Sequence, residues 1–159
     1  MIGDNKFYLT KKGLERIKKE YEDLQKIKLS KIRGEAPAIL HSEDLNPEYL
    51  SFREDMTFLE RRIAELENTL KNVELIKAPP KHDKGVVKMG ATVTLEEKDG
   101  QVNEFMIVGT LEANPAQGKI SAQSPVGMAL LGQKIGSEVV LNSPVRIVYK
   151  IKKVKYYLD

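Results

Sequence analysis

Apolar residues between positions 49 and 73 recur at alternating intervals of three and four: Tyr49, Phe52, Met56, Leu59, Ile63, Leu66, Leu70 and Val73. Seven residues nearly complete two turns of α-helix, so this spacing keeps one apolar stripe in register as a coiled-coil seam. Asn46 suits the N-cap, Pro47 the first helical position and Glu48 the first turn, where a carboxylate meets the positive end of the helix dipole. Ala78-Pro79-Pro80 ends the run, because proline lacks the N–H that a helix interior requires. The pattern predicts a helix over about residues 47–76. Residues 10–35 carry a similar stripe through Leu14, Ile17, Tyr21 and Leu24, with Thr10 as its cap. Beyond Leu24 the stripe decays: Ile27, Leu29 and Ile32 fit it poorly, and Gly34 and Pro37 weaken the helix. Two such segments joined by a short loop predict an antiparallel hairpin, with arms of roughly 45 Å at about 1.5 Å per residue.

From residue 85 the period shortens to that of strands. Val86-Val87, Ala91–Leu95, Val102–Val108, Ile120–Ala122, Val139–Leu141 and Val145–Tyr156 read as strands, with Asp99-Gly100 as a hairpin turn. One short helix fits at Pro125–Leu131, capped by Ser124. The expected class is therefore α+β: a coiled-coil hairpin over residues 1–77, a linker over 78–84 and a small β-rich domain over 85–159.

Composition narrows the chemistry. The 159-residue chain has no Cys, which excludes disulfides, thiolate metal sites and cysteine nucleophiles, and two His, too few for a His-rich metal site. No apolar run approaches the ~20 residues that span a bilayer, and the first ten residues lack the apolar core of a secretory signal. A soluble cytoplasmic protein with no membrane partner is expected. The net charge of +3 is too small to argue for duplex DNA binding. Its distribution is uneven: residues 10–35 hold nine basic and five acidic side chains, and residues 43–76 four basic and nine acidic. In an antiparallel hairpin these arms meet. Exposed pairs contribute only a few tenths of a kcal/mol each, so charge selects the pairing more than it stabilises it. The cationic face Lys11, Lys12, Arg16, Lys18 and Lys19 reads first as a solvated helix surface.

The order of hairpin, proline-containing segment and β-rich domain resembles the Gre family of bacterial transcript cleavage factors (GreA/GreB type). The resemblance rests on Tyr8-Leu9-Thr10 with Gly13-Leu14, on Asn46-x-Glu48-Tyr49, on Arg62-Ile63-x-x-Leu66-Glu67 and on Val73-x-x-Ile76. In the second half it rests on Gly90-Ala91-Thr92-Val93-Thr94, Ile107-Val108-Gly109, Lys119-Ile120-Ser121 and Ser124-Pro125-x-x-x-Ala129-Leu130-x-Gly132-x-x-x-Gly136. It implies an FKBP-like C-terminal domain that docks on RNA polymerase at the rim of the secondary channel, with Ser124, Pro125, Ala129, Leu130 and Gly132 as docking residues. It also implies a monomeric factor with no cofactor and no complete active site of its own. Tip carboxylates would reach the Mg²⁺ of the polymerase active site and help activate water against backtracked RNA. The basic face would lie near the nascent RNA 3′ end. Oxygen ligands on a hard cation suit that chemistry.

The tip departs from the family pattern Asp-Leu-x-Glu-Asn-Ala-Glu-Tyr. Here it reads His41-Ser42-Glu43-Asp44-Leu45-Asn46-Pro47-Glu48-Tyr49. Aligned without a gap, Ser42 and Leu45 replace both functional carboxylates. Aligned with a two-residue deletion after Leu45, Asp44 matches the aspartate and Glu43 stands in for the missing glutamate. Asp44 and Glu43 are thus the candidate metal-directed pair, with Asn46, Glu48 and Tyr49 as tip supports. Two further readings are a secondary-channel regulator without cleavage activity and, on fold alone, a peptidyl-prolyl isomerase or chaperone. The last is disfavoured by the few aromatics beyond residue 85: Phe105, Tyr149, Tyr156 and Tyr157.

Overall fold

The computed structural model describes residues 5–34, 47–142 and 145–158. Strand β1 (Phe7–Leu9) leads into helix α1 (Lys11–Gly34); helix α2 (Pro47–Lys71) follows and runs into strand β2 (Val73–Leu75). Then come β3 (Thr92–Glu97), β4 (Val102–Val108), β5 (Lys119–Ser121), helix α3 (Pro125–Leu130), β6 (Glu138–Leu141) and β7 (Ile147–Lys155).

The chain divides into two compact units, Leu14–Asn72 and a second made of Met1–Gly13 with Val73–Asp159. This corrects the expected boundaries at 77 and 85. The cause is a two-stranded parallel ladder, in which Phe7, Tyr8 and Leu9 pair with Val73, Glu74 and Leu75. The Ile76 N–H extends it by donating to the Leu9 carbonyl at 2.8 Å. Val73 and Ile76 continue the helical spacing in sequence, yet α2 stops at Lys71 and a turn at Asn72 redirects the chain into β2. The segment 78–84 is likewise part of the second unit and holds a 3₁₀ turn at Lys81–Asp83. Val86 makes only an isolated bridge to Lys134, in place of the expected strand.

In the hairpin unit, Leu59, Ile63, Leu66 and Thr69 of α2 are buried, while Tyr49, Phe52, Met56 and Leu70 are half-buried on the same stripe. Leu14, Ile17, Tyr21 and Leu24 of α1 are half-buried in turn. Ion pairs and hydrogen bonds fix the antiparallel register. The Arg62 guanidinium forks onto Glu20, Nε to Oε1 at 2.7 Å and Nη2 to Oε2 at 3.0 Å. The Tyr21 hydroxyl donates to Glu67 Oε1 at 2.8 Å. The family-marking string Arg62-Ile63-x-x-Leu66-Glu67 is therefore a zipper: two residues fill the seam and two bind the other arm.

The second unit is built on a five-stranded sheet of order β5-β4-β3-β7-β6. Its neighbours are antiparallel except β4 and β5. Asp99-Gly100 makes the β3–β4 turn, as its sequence predicts. Val93, Leu95, Ile107, Leu130 and Ile151 are fully buried in one core, with Val87, Ala91, Ile120, Ala122, Val139, Tyr149 and Val154. Helix α3 closes over this core. Gly127 admits it, since a Cβ there would lie 2.1 Å from the Ser121 carbonyl oxygen.

Candidate functional site

Three regions carry the residues singled out by sequence: the hairpin tip, the start of α1 and the start of α3. Glu43, Asp44, Asn46 and His41 fall outside the described residues. The end of α2 that follows them is described. Pro47 opens the helix, Glu48 is exposed in its first turn, and Tyr49 is half-buried on the seam as its spacing predicts. Among the described residues no group of three or more His, Asp or Glu could hold a metal ion.

The start of α1 is a built joint within the second unit. The Thr10 hydroxyl oxygen accepts from the Gly13 N–H at 3.1 Å, so Thr10 is the N-cap its position predicts. Thr10 in turn binds Glu112: its backbone N–H donates to Oε2 at 2.7 Å and its hydroxyl to Oε1 at 2.5 Å. Sequence gives no acid in the first turn of α1. Glu112 supplies that charge from a distance of 102 residues, where the dipole favours it. Gly13 makes room, because a Cβ at this position would lie 2.3 Å from Glu112 Oε1. Glu112 is the residue that sequence reading missed. Only its pairing with the Thr10-x-x-Gly13 spacing could have marked it. Around the joint, Lys11 and Lys12 are exposed and Lys119 half-exposed, beside Ile76, Met106 and Tyr157. Arg16, Lys18 and Lys19 are exposed as well.

At the start of α3, Ser124 is the N-cap and Pro125 the first helical residue, as expected. The Ser124 hydroxyl accepts from the Gly127 N–H at 3.1 Å and donates to the Ser121 carbonyl at 2.6 Å. Of the expected docking residues, Pro125 and Gly132 are exposed, and Ser124 and Ala129 half-buried. Leu130 is fully buried in the core, which corrects its placement: it cannot touch a partner, and instead anchors the helix that presents Pro125. Met128, 62% exposed beside Pro125, is the side chain that sequence reading overlooked on this surface. Its spacing within the motif marks it no differently from a core residue.

The aromatics after residue 85 are mostly committed to structure. Phe105 packs against the core and Tyr149 is buried in it. The Tyr156 hydroxyl donates to the Val86 carbonyl at 2.6 Å and accepts from the Lys88 N–H at 3.0 Å. Burial holds the Tyr156 phenol above its ordinary range; the Lys88 N–H opposes this and the nearby Asp83 charge adds to it. Burial, then the charge of Glu97, does the same for Tyr149. Among the described residues no helix is long and apolar enough to cross a membrane.

Comparison with known proteins covers both units. Residues 7–75 match the family "Transcription elongation factor, N-terminal", and residues 82–156 match "Transcription elongation factor, GreA/GreB, C-term". A transcription elongation factor GreA of Thermomicrobium roseum is 41% identical over 138 residues, 86% of this chain and 88% of that protein. One of Clostridium acetobutylicum is 40% identical over 162 residues, 98% of this chain and 100% of that protein. Among solved structures, a prokaryotic transcription elongation factor GreA/GreB from Nitrosomonas europaea matches at 21% identity and TM-score 0.45, over 95% of this chain and 98% of its own. GreA factor homolog 1 (Gfh1) of Thermus thermophilus matches at 24% identity and TM-score 0.42, over 94% and 99%. With both of its halves matched, the chain belongs to the GreA/GreB family of transcription elongation factors.

Proposed function

We propose that this elongation factor acts on RNA polymerase at its secondary channel and stimulates cleavage of backtracked RNA without a complete active site of its own. The carrying observation is that both halves of the chain match the family along nearly their whole length, at 40% identity to a full-length GreA. The exposed Pro125, Met128 and Gly132 surface fits the docking role, with Ser124, Ala129 and Leu130 holding it in shape. Glu43 and Asp44 are the carboxylates available at the tip to bind the polymerase Mg²⁺ as oxygen ligands. The metal would supply Lewis-acid activation of water; this chain's part is to deliver two negative charges to it. The partner is a polymerase carrying its transcript, and the factor acts as a monomer in the cytoplasm.

The test is RNA cleavage in stalled, backtracked complexes with purified polymerase and saturating factor. Stimulation that Glu43→Ala and Asp44→Ala each reduce about a hundredfold or more supports this reading, since misplacing a catalytic group by about 1 Å already costs that much. Binding to polymerase without any stimulation establishes the second reading, a channel-occupying regulator. The specific observation favouring that alternative is the tip itself, where an ungapped alignment puts Ser42 and Leu45 in place of the family's two carboxylates.

A further inference from the structure

The seam of α1 does not end at Leu24. The next two positions at the same spacing are Lys28 and Lys31. Both are half-buried on the seam, where an apolar residue would ordinarily sit. Ile27, Leu29 and Ile32 stand beside it instead, 44%, 52% and 46% exposed. Lys28 Nζ lies 3.5 Å from Glu60 Oε1, and Lys31 Nζ 3.6 Å from Asp55 Oδ2. The α2 residues that share this stretch of seam, Phe52 and Met56, are half-buried, whereas Leu59, Ile63 and Leu66 further along are buried. That buried stretch is also clamped by the Arg62–Glu20 fork at 2.7 and 3.0 Å. Among the described residues the hairpin is thus held in two ways: by apolar burial and a short bidentate pair over one part, and over the other by half-buried apolar side chains with the long Lys28–Glu60 and Lys31–Asp55 pairs.

We infer that Lys28–Glu60 and Lys31–Asp55 form an ionic latch that closes the tip-side part of the hairpin at low ionic strength and releases it at high ionic strength. The buried Leu59–Ile63–Leu66 segment stays paired throughout. The reason is screening. The Debye length falls from about 10 Å at 0.1 M salt to about 3 Å at 1 M, which weakens attraction between partly exposed charges and leaves apolar burial intact. A lysine on the seam forgoes the burial that a leucine would bring, so once the charge is screened these turns keep the partial apolar cover of Ile32, Tyr49, Phe52 and Met56, which is weaker than the buried seam further along. The latch rests on the hairpin alone, so its failure would leave the polymerase reading untouched.

The experiment is amide hydrogen exchange on the full chain at 0.05 M and 1 M NaCl, corrected against an unstructured peptide. Amides of residues 28–33 and 50–57 should exchange about three- to tenfold faster at high salt, the factor that two pairs of ordinary surface strength supply. Amides of residues 59–70 should change less than twofold. Lys28→Leu with Lys31→Leu completes the apolar seam and should abolish the salt response while slowing exchange. Lys28→Glu alone should open the segment at low salt, and adding Glu60→Lys should restore both closure and salt response. Salt-independent exchange of residues 28–33 and 50–57, or a salt response that survives in the double-leucine variant, would overturn the latch.

Discussion

The two units of this chain hold themselves together by different means. In the sheet unit, twelve residues form one core and seven of them, Val87, Ala91, Val93, Leu95, Ile107, Leu130 and Ile151, lose all contact with solvent. In the hairpin, three apolar residues and one threonine of α2 are buried, and the register is carried by Arg62–Glu20, Tyr21–Glu67 and the two lysine pairs. The sheet unit is therefore stabilised mainly by apolar area removed from water, at about 25 cal/mol per Å². The hairpin depends on a narrow seam plus partly exposed charges of which each pair contributes about 1 kcal/mol or less. A seam this narrow contains few buried residues, so each of them counts for more. Substitutions that respect or violate backbone spacing should dominate in the sheet unit, and truncations of single seam residues in the hairpin.

The largest expected effect is on the sheet side. Gly127→Ala forces a Cβ to within 2.1 Å of the Ser121 carbonyl oxygen, and backbone cannot rotate away as a side chain can. It should cost roughly 3 kcal/mol or more and displace α3. Urea unfolding of the full chain reads the cost; a change under about 1 kcal/mol would show that α3 is not tightly seated. In the hairpin, Leu66 is 1% exposed. Leu66→Ala should cost about 2–3 kcal/mol, through lost transfer energy and a residual cavity. Its loss should appear as faster amide exchange over residues 14–34 and 47–72 with the sheet unchanged. Equal loss of protection in both units would mean that they unfold as one and would remove the contrast.

Next in size is the joint at the start of α1. Glu112→Ala removes the acceptor for two Thr10 donors and should cost about 1–2 kcal/mol by thermal unfolding. Gly13 gives this prediction its sharper form. Gly13→Ala should destabilise the native chain, where the Glu112 carboxylate fills the space of the new methyl. In the Glu112→Ala background the same change should stabilise by up to about 1 kcal/mol, since alanine is the better helix former. A reversal of sign identifies the carboxylate as the cause; equal effects in both backgrounds would refute it.

Much of the fold was legible because period and punctuation agree. The seam from Tyr49 to Leu70, the Ser124-Pro125 cap and the Asp99-Gly100 turn are local signals, and the β4 limits at Val102 and Val108 match what alternation predicts. What sequence reading missed is non-local. Val73–Leu75 keeps a helical spacing and becomes a strand only because Phe7–Leu9, more than sixty residues earlier, pairs with it. Glu112 looks like any surface acid until Thr10 meets it. Lys28 and Lys31 continue the seam with charged side chains where apolar ones are the rule, and the nearby Ile27, Leu29 and Ile32 suggest a different register. The family motifs themselves proved mostly architectural. Gly13, Arg62, Glu67, Ser124 and Leu130 each make a structural contact that their spacing alone does not disclose.

The smallest expected effect separates the two units by pH. Tyr156 fastens residues 86–88 to the end of the sheet, and burial raises its phenol above the ordinary range. Tyr149 shifts the same way, with burial again the larger cause. A group whose folded pKa is raised favours folding fully below its unfolded value, which for tyrosine is about 10, and loses that contribution as pH rises through the folded value. Ionisation of Tyr156 would also remove the proton it donates to the Val86 carbonyl. The sheet unit should therefore hold its stability from pH 8 to about pH 10 and weaken above it. Tyr156→Phe should be less stable at pH 8, because the hydroxyl bonds are gone, and should decline less steeply in the alkaline range. In the hairpin Tyr21 is raised as well, chiefly by its hydrogen bond to Glu67, so Tyr21→Phe is the matched control for that unit. Exchange protection read unit by unit between pH 8 and pH 11, referenced to intrinsic rates, distinguishes them. If Tyr156→Phe leaves the alkaline decline of the sheet unit unchanged, the Tyr156 clasp is not what titrates there.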